Sequence, residues 1–143
     1  MKLKRILLVD DREVDNYINT IILEETGLAE NIDSCKNGND AINYLKTQIN
    51  GQYPKPDIIF LDINMPLMNG WEFLETYEKL DLDLHGGKVI IMLTTSLNPD
   101  DAEKAKKYKH LNAFKSKPMT KEMFIEIVET FITESNNNEV TNQ

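Results

Sequence analysis

Apolar residues occur in five short runs that alternate with segments of helical periodicity along the 143-residue chain. Three of the runs are continuous rather than alternating, as is typical of strands whose two faces are both covered by helices. These three runs are Arg5–Val9, Ile58–Leu61 and Val89–Leu93, and two weaker runs lie at Ile32–Cys35 and Ala113–Phe114. The pattern therefore predicts five strands in a parallel sheet.

The first three intervening segments have helical spacing, and the first two have recognisable caps. Asn39 is predicted to cap the second helix, and the third helix follows Gly70. In the first segment, apolar residues recur at three- and four-residue spacing, and Gly27 follows as a C-terminal cap. This spacing predicts a buried stripe formed by Val14, Tyr17, Ile18, Ile21 and Ile22.

The last two helices have clear N-terminal signals. Asn98 supplies a capping side chain, Pro99 occupies the first helical position, and two acidic residues follow. The apolar stripe of this fourth helix is thin, so we expect it to be held less firmly than the others. The fifth helix begins at Thr120 and should bury a long stripe composed of Met123, Phe124, Ile127, Val128, Phe131 and Ile132.

The repeated order of strand and helix predicts one doubly wound α/β domain with right-handed crossovers. A chain of this length is sufficient for a single domain with a hydrophobic core. We place the domain at residues 3–133. Residues 134–143 are polar and are predicted to form a disordered tail.

Composition narrows the classes of function. Sixteen basic and twenty-four acidic residues give a net charge of -8, which disfavours direct nucleic-acid binding. The basic segment 104–109 follows acidic residues on the same predicted helix and is interpreted as a solvated face. No apolar run approaches the roughly 20 residues of a membrane helix, and the N-terminal run lacks a signal-peptide cleavage site. A single cysteine, Cys35, agrees with a cytoplasmic location.

Polar residues stand at the ends of four of the predicted strands. In an open parallel sheet, ligands bind beyond the carboxyl ends of the strands, so residues that are far apart in sequence become neighbours there. The residues concerned are Asp10 and Asp11 after the first strand, Asp62 after the third, Thr94 and Thr95 after the fourth, and Lys117 with Pro118 after the fifth.

Three carboxylates in one place repel one another and need a compensating cation. Oxygen ligands without histidine or cysteine suit a hard ion, and an open rim that admits water favours Mg²⁺ over Ca²⁺. Lys117 adds a fixed positive charge and Thr94 a hydroxyl donor. These groups are what the oxygens of a phosphoryl group require during transfer to a carboxylate nucleophile.

Four segments of the chain closely resemble the response-regulator receiver domain of two-component signalling. The resemblance extends from about Leu3 to Thr133, nearly the whole chain. It implies the CheY-like, flavodoxin-like (βα)₅ fold with a five-stranded parallel sheet of order 2-1-3-4-5. The segments are VDD at Val9–Asp11, LDINMPLMNG at Leu61–Gly70, MLTT at Met92–Thr95 and KP at Lys117–Pro118.

The resemblance assigns a role to each acidic residue of the cluster. It implies that Asp62 accepts a phosphoryl group from a phosphohistidine on a sensor histidine kinase or a phosphotransfer protein. Asp11 and Asp62 would ligate Mg²⁺ through their side chains, Asn64 through its backbone carbonyl and Asp10 through water.

The resemblance also implies a switch. Lys117 would pair with the phosphoryl oxygens, Thr94 would bond to the new group, and Phe114 would swing inward. The surface formed by the fourth helix, fifth strand and fifth helix would then change and be recognised by a downstream protein target. Receivers often carry Gly-Ala where this chain has Asn112-Ala113. This departure concerns the flexibility of that loop and not the phosphorylation.

We expect no output domain after residue 133 and therefore a stand-alone cytoplasmic receiver that contacts neither nucleic acid nor membrane. Phosphorylation-linked homodimerisation remains open. The protein is expected to be a phosphoacceptor that assists its own phosphorylation and dephosphorylation and is not otherwise an enzyme.

Several alternatives remain at this point. The chain could be a phosphorylation-independent binding module, or an aspartyl-phosphate phosphohydrolase, although VDDRE lacks the DxD motif that many of those enzymes carry. Thr95 would serve as a polar strand end as well as Thr94 does, and Phe114 could be an ordinary core residue. Trp71 is expected to be a partly exposed packing residue near the site.

Overall fold

The computed structural model describes residues 2–81, 84, 89–95, 98–108 and 110–141 of the chain. In these residues five parallel strands form one sheet in the order β2-β1-β3-β4-β5, which confirms the predicted fold. Strands and helices alternate along the chain as β1 (Leu3–Val9), α1 (Glu13–Thr26), β2 (Ala29–Cys35), α2 (Gly38–Leu45), β3 (Ile58–Asp62), α3 (Gly70–Glu78), β4 (Val89–Thr94), α4 (Pro99–Ala105), β5 (Leu111–Ser116) and α5 (Lys121–Thr141).

The two faces of the sheet carry separate apolar cores. Helices α2 and α3 cover one face, where Leu7, Leu61 and Met92 alternate with residues that point to the other side. Helices α1 and α5 cover the second face, and there Phe60 packs edge-on against Phe124 with ring centroids 5.0 Å apart. Because both faces are buried, the central strands are apolar at nearly every position, as the continuous runs predict.

Most of the predicted helix ends are confirmed. Gly27 ends α1 in the left-handed conformation with φ 65, and Asn98 caps α4 ahead of Pro99. The predicted N-terminal cap of α2, Asn39, is wrong by two residues. Asn37 is the cap, since its backbone is extended and its side chain accepts a hydrogen bond from the amide of Asp40. Asn39 lies within the first turn, where its backbone is already helical.

The predicted buried stripe of α1 is wrong. Its members are exposed: Val14 61%, Tyr17 69%, Ile18 47% and Ile21 38%, while Ile22 is partly buried. The helix instead turns Asn16 and Leu23 towards the protein. The side-chain amide of Asn16 donates hydrogen bonds to the backbone carbonyls of Asp10 and Cys35, at 3.0 and 3.2 Å. These two hydrogen bonds fix the rotation of the helix.

The last helix is longer than the sequence indicates. Phe124 and Val128 are buried, and the other predicted apolar positions are partly buried against the same core. The helix continues to Thr141, whereas the sequence predicts a disordered tail from residue 134. Adding residues to an existing helix is much easier than starting one, so polar residues can extend it. In the part of the chain that the structure describes, no helix combines the length and apolarity needed to cross a bilayer.

Candidate functional site

The carboxyl ends of β1 and β3 bring three carboxylates together. Asp62 is the last residue of β3, and Asp10 follows β1, where its amide donates to the carbonyl of Cys35 at 3.1 Å. Carboxylate oxygens of Asp10, Asp11 and Asp62 all lie within 4.8 Å of one another. The strand-end rule therefore predicted this cluster correctly.

The carboxyl of Asp62 is strongly affected by its surroundings. It is only 5% exposed, and this burial raises the pKa of its carboxyl from 3.8 to about 6. Lys117 and a hydrogen bond from the backbone of Asn64 lower this pKa, whereas the charges of Asp10 and Asp11 raise it. At neutral pH Asp62 is therefore largely ionised, but its negative charge is poorly compensated.

Lys117 reaches the cluster from the end of β5. Its amide donates to the carbonyl of Thr94 at 2.8 Å, and its peptide bond to Pro118 is cis. The ammonium lies 2.5 Å from Asp10, 3.3 Å from Asp15 and 3.6 Å from Asp62. Burial lowers the pKa of this lysine, but its hydrogen bond to Asp10 and the neighbouring negative charges give a net increase. The lysine is thus held as a cation.

The carboxylate of Asp10 is fixed by the residue that precedes α1 and by Lys117. One carboxylate oxygen accepts a hydrogen bond from the backbone amide of Arg12 at 2.9 Å, and the other accepts from Lys117. The sequence interpretation missed Arg12, Asp15 and Asn16 as members of the site. Asp15 had a signal, since it lies four residues after Asp11 on a helix that begins directly beyond β1.

A divalent cation fits the cluster. Asp10, Asp11 and Asp62 offer only carboxylate oxygens, the donor type that Mg²⁺ prefers. Two of these acids are buried and Asp11 is exposed, so water can reach the open side. Three carboxylates around one ammonium leave excess negative charge that such an ion would neutralise. Asn64 is exposed in the loop after β3, and ligation by its carbonyl remains a prediction.

Thr94, which ends β4, and Thr95, which follows it, differ in burial. Thr94 is 2% exposed, whereas Thr95 is exposed and lines a groove with Lys117 and Ile18. Thr94 is therefore the buried threonine of the pair, and its role in binding a phosphoryl group remains a prediction. Ser96, two residues after Thr94, lies outside the residues that the structure describes.

The loop between β3 and α3 is packed tightly around the end of the strand. The amide of Gly70 donates to the carbonyl of Ile63 at 2.8 Å, and a Cβ at Gly70 would lie 2.9 Å from the carbonyl oxygen of Asp62. At the other side of the loop, a Cβ at Gly38 would lie 2.7 Å from the sulfur of Met68. The loop that follows Asp62 therefore packs closely against two positions that have no side chain, Gly70 and Gly38.

Phe114 and Trp71 lie on the α3 side of the sheet. Phe114 is half-buried and its ring centroid is 6.3 Å from that of Trp71. Trp71 is 6% exposed, so the expectation that it is partly exposed is wrong. Its ring is covered by residues that follow α4, which periodicity in its own helix could not indicate.

Comparisons with known proteins agree with this arrangement. The family model of the response regulator receiver domain matches residues 6–129. The response regulator Rcp1 of Synechocystis sp. is 31% identical over 138 residues, which cover 92% of this chain and 90% of that protein.

Two further comparisons extend the picture. A two-component response regulator from Cytophaga hutchinsonii has a crystal structure with a TM-score of 0.81 and 32% identity, covering 93% of this chain and 99% of that one. A protein-glutamate methylesterase/protein-glutamine glutaminase of Clostridium acetobutylicum is 36% identical over 80 residues. The match covers 56% of this chain and 21% of the methylesterase, so it spans about a fifth of that relative's length.

Proposed function

The chain belongs to the response regulator receiver domain family, and we propose that Asp62 accepts a phosphoryl group from a phosphohistidine on a sensor histidine kinase or phosphotransfer protein. One observation carries the proposal. The ammonium of Lys117 and the carboxylates of Asp10 and Asp62 share a buried pocket at the strand ends, with Asp11 at its open side. A purely structural site gains nothing from crowding acids in this way.

The chemistry requires a carboxylate that attacks from a fixed position. Asp62 ends a central strand, and its pKa of about 6 leaves it largely ionised at neutral pH. One carboxylate oxygen forms a bond to phosphorus while the phosphorus–nitrogen bond of the phosphohistidine breaks. The imidazole leaves with that electron pair and takes up a proton. The nucleophile therefore needs positioning more than activation.

Two cations, Mg²⁺ and the ammonium of Lys117, would stabilise the phosphoryl group during transfer. Asp10, Asp11 and Asp62 would hold Mg²⁺, which when bound neutralises charge on the phosphoryl oxygens. Asp11 and Asp62 would bind through carboxylate oxygens and Asp10 through water. Lys117, 3.6 Å from Asp62, would donate to another phosphoryl oxygen. The same two cations would assist the later attack of water on the aspartyl phosphate.

The signal would leave the site through β4 and β5. Thr94 would bond to the new phosphoryl group, and Phe114 would move inward, because phosphorylation adds close to two negative charges that attract a hydroxyl donor. The surface of α4, β5 and α5 would change and be recognised by a downstream protein. A few kcal/mol of differential binding is sufficient to shift such an equilibrium.

The phosphodonor would dock on the outer face of α1. This apolar face consists of Val14, Tyr17, Ile18 and Ile21, and it is continuous with the active site through a groove. Ile18 belongs to the face and also lines the groove, together with Arg12 and Lys117. A donor whose apolar helix covers this face would bring its phosphohistidine to the end of the groove. The protein would act in the cytoplasm with such a partner.

Mass spectrometry after incubation with phosphoramidate and Mg²⁺ tests the acceptor assignment. We expect the wild type to gain the mass of one phosphoryl group and Asp62→Asn to gain none. Equal gain by both proteins would exclude Asp62 as the acceptor. No gain by the wild type would favour a phosphorylation-independent binding module.

The same incubation with a generic phosphatase substrate tests whether the chain is an enzyme. Turnover beyond one equivalent of the protein would favour an aspartyl-phosphate phosphohydrolase. We propose that the chain is a phosphoacceptor and that the ester-cleaving activity in the name of its methylesterase relative is not part of its function.

A further inference from the structure

Helix α4 is weakly attached to the rest of the protein. It is seven residues long and none of its residues is buried. Ala105 and Tyr108 contribute the partly buried apolar contacts of this segment. A helix with so little buried apolar surface opens more readily than its neighbours. Its position must therefore depend on a small number of side-chain contacts.

Two of those contacts are made to one indole ring, that of Trp71. The ammonium of Lys104 lies 5.0 Å from the centroid of the Trp71 ring, and the ring of Tyr108 stacks on it at 5.6 Å. The hydroxyl of Tyr108 also donates to Glu75 of α3 at 3.1 Å. The ring of Phe114 contacts the same indole from β5 at 6.3 Å. Trp71 thus joins α3 to both α4 and β5.

The residue before Trp71 packs against the backbone of the acceptor. The preceding residue, Gly70, bonds to the carbonyl of Ile63 and lies directly against the carbonyl of Asp62. A structural change at Asp62 can therefore reach the first turn of α3 directly, without a movement of β4. Trp71 belongs to that first turn.

We propose that Trp71 is a positioning residue that holds α4 against α3 in the unphosphorylated protein and that phosphorylation of Asp62 releases α4 by altering the contacts of its indole. This rests on the proposed function. Phe114, Tyr108 and Lys104 share one ring, so inward movement of Phe114 removes one of its neighbours and leaves space beside it. The attachment of α4 weakens, and its surface becomes available to a downstream protein.

Hydrogen exchange of the amides in residues 101–108 tests the proposal. In unphosphorylated protein, Trp71→Leu should accelerate this exchange about tenfold, given the strength of a stacked aromatic pair and a cation–π contact. Lys104→Met should give a smaller increase in the same amides. Lys107→Met is the matched control, since among the described residues the structure gives its ammonium no ring contact, and it should leave the exchange unchanged.

Two further comparisons separate this role from general destabilisation. Phe124→Leu weakens the opposite core and should accelerate exchange in β1 and β3 as much as in α4. Trp71→Leu should affect α4 selectively. If it accelerates β1 and β3 equally, or leaves α4 unchanged, the proposal is wrong.

Phosphorylation provides the decisive arm. Phosphoramidate and Mg²⁺ should accelerate exchange of α4 in the wild type and add little in Trp71→Leu, although both proteins gain one phosphoryl group by mass. An increase of wild-type size in Trp71→Leu would overturn the proposal. Absence of the added mass in the wild type would instead overturn the proposed function, while the comparison of unphosphorylated proteins would still decide whether Trp71 holds α4.

Discussion

The ammonium of Lys117 is bound more closely by Asp10, at 2.5 Å, than by Asp62, at 3.6 Å. Asp10 is in turn held by the backbone amide of Arg12, so the lysine is anchored to the end of β1. The acceptor carboxylate therefore keeps much of its charge uncompensated. A phosphoryl group on Asp62 would offer new oxygens to an ammonium that is already positioned beside it.

Asp62→Asn should stabilise the metal-free protein at neutral pH. Burial raises the pKa of Asp62 from 3.8 to about 6, so the folded state binds more protons than the unfolded state between these values. Stability from this group is therefore present below pH 3.8, decreases as the pH rises to about 6, and is then constant. Roughly two pKa units correspond to at most about 3 kcal/mol, and we expect a gain of about 1–3 kcal/mol at pH 7. Urea denaturation in a chelator, from about pH 4 to about pH 7, measures it.

Asp57→Asn is the matched control for that measurement. The carboxylate of Asp57 accepts hydrogen bonds from the amides of Lys4 and Arg5, at 2.8 and 3.3 Å, so its removal should lower stability. A loss of stability in both variants would show that Asp62 is not under electrostatic strain.

Magnesium should stabilise the wild type and have much less effect on Asp62→Asn. Binding to the folded state alone adds about 2.7 kcal/mol to the free energy of unfolding at a hundredfold excess over Kd. Loss of one of three carboxylates weakens the site, because the remaining acids are Asp10, held by Lys117, and the exposed Asp11. Thermal unfolding with Mg²⁺ and with a chelator measures the difference. Equal shifts in the two proteins would place the ion elsewhere.

Ile18→Ser should impair transfer from a protein donor and leave transfer from phosphoramidate unchanged. Ile18 is exposed and belongs both to the apolar face of α1 and to the groove beside Lys117. Loss of one apolar anchor costs about 1–2 kcal/mol at an interface, which is roughly a tenfold loss in the rate of transfer at low donor concentration. The measurement uses the histidine kinase that phosphotransfer profiling identifies.

Ile49→Ser is the control for this variant, since Ile49 is also an exposed isoleucine and lies in the loop between α2 and β3. It should not affect either donor. Slower transfer from phosphoramidate by Ile18→Ser would indicate damage to the site itself and would contradict a docking role for α1.

Lys117→Gln should slow phosphorylation by phosphoramidate about 10²–10³-fold, the usual loss when a preorganised donor to a developing charge is removed. It should also lower stability by roughly 3 kcal/mol at neutral pH, because Asp10 and Asp62 lose their shared cation in a buried pocket. Lys115→Gln, two residues earlier on β5, is the control and should change neither quantity substantially. Wild-type kinetics in Lys117→Gln would remove the lysine from the mechanism.

The sheet and the centre of the site could be predicted because each depends on a local pattern. Strands covered on both faces have continuous apolar sequences, which makes them recognisable. Ligands bind beyond the carboxyl ends of parallel strands, and this rule places Asp10, Asp62 and Lys117 together. Burial separates Thr94 from Thr95, which sequence alone left equivalent. These predictions needed no knowledge of how the helices rotate.

The errors occur where rotation or packing decides. The apolar spacing on α1 is real, but the buried amide of Asn16 turns the helix so that Val14, Tyr17 and Ile18 face outward. The same rotation brings Asp15 to Lys117. The burial of Trp71 likewise depends on residues far along the chain.

The contact of Gly38 with Met68 couples the start of α2 to the loop that follows Asp62, so that a change in one of these segments affects the other. The space above Gly38 is already filled by the thioether, so a side chain at position 38 would displace that of Met68. A loop transplanted from a relative with a bulkier, branched residue at position 68 would displace the first turn of α2. Chimeric receivers built on this chain should therefore exchange residues 37–38 and 63–70 together.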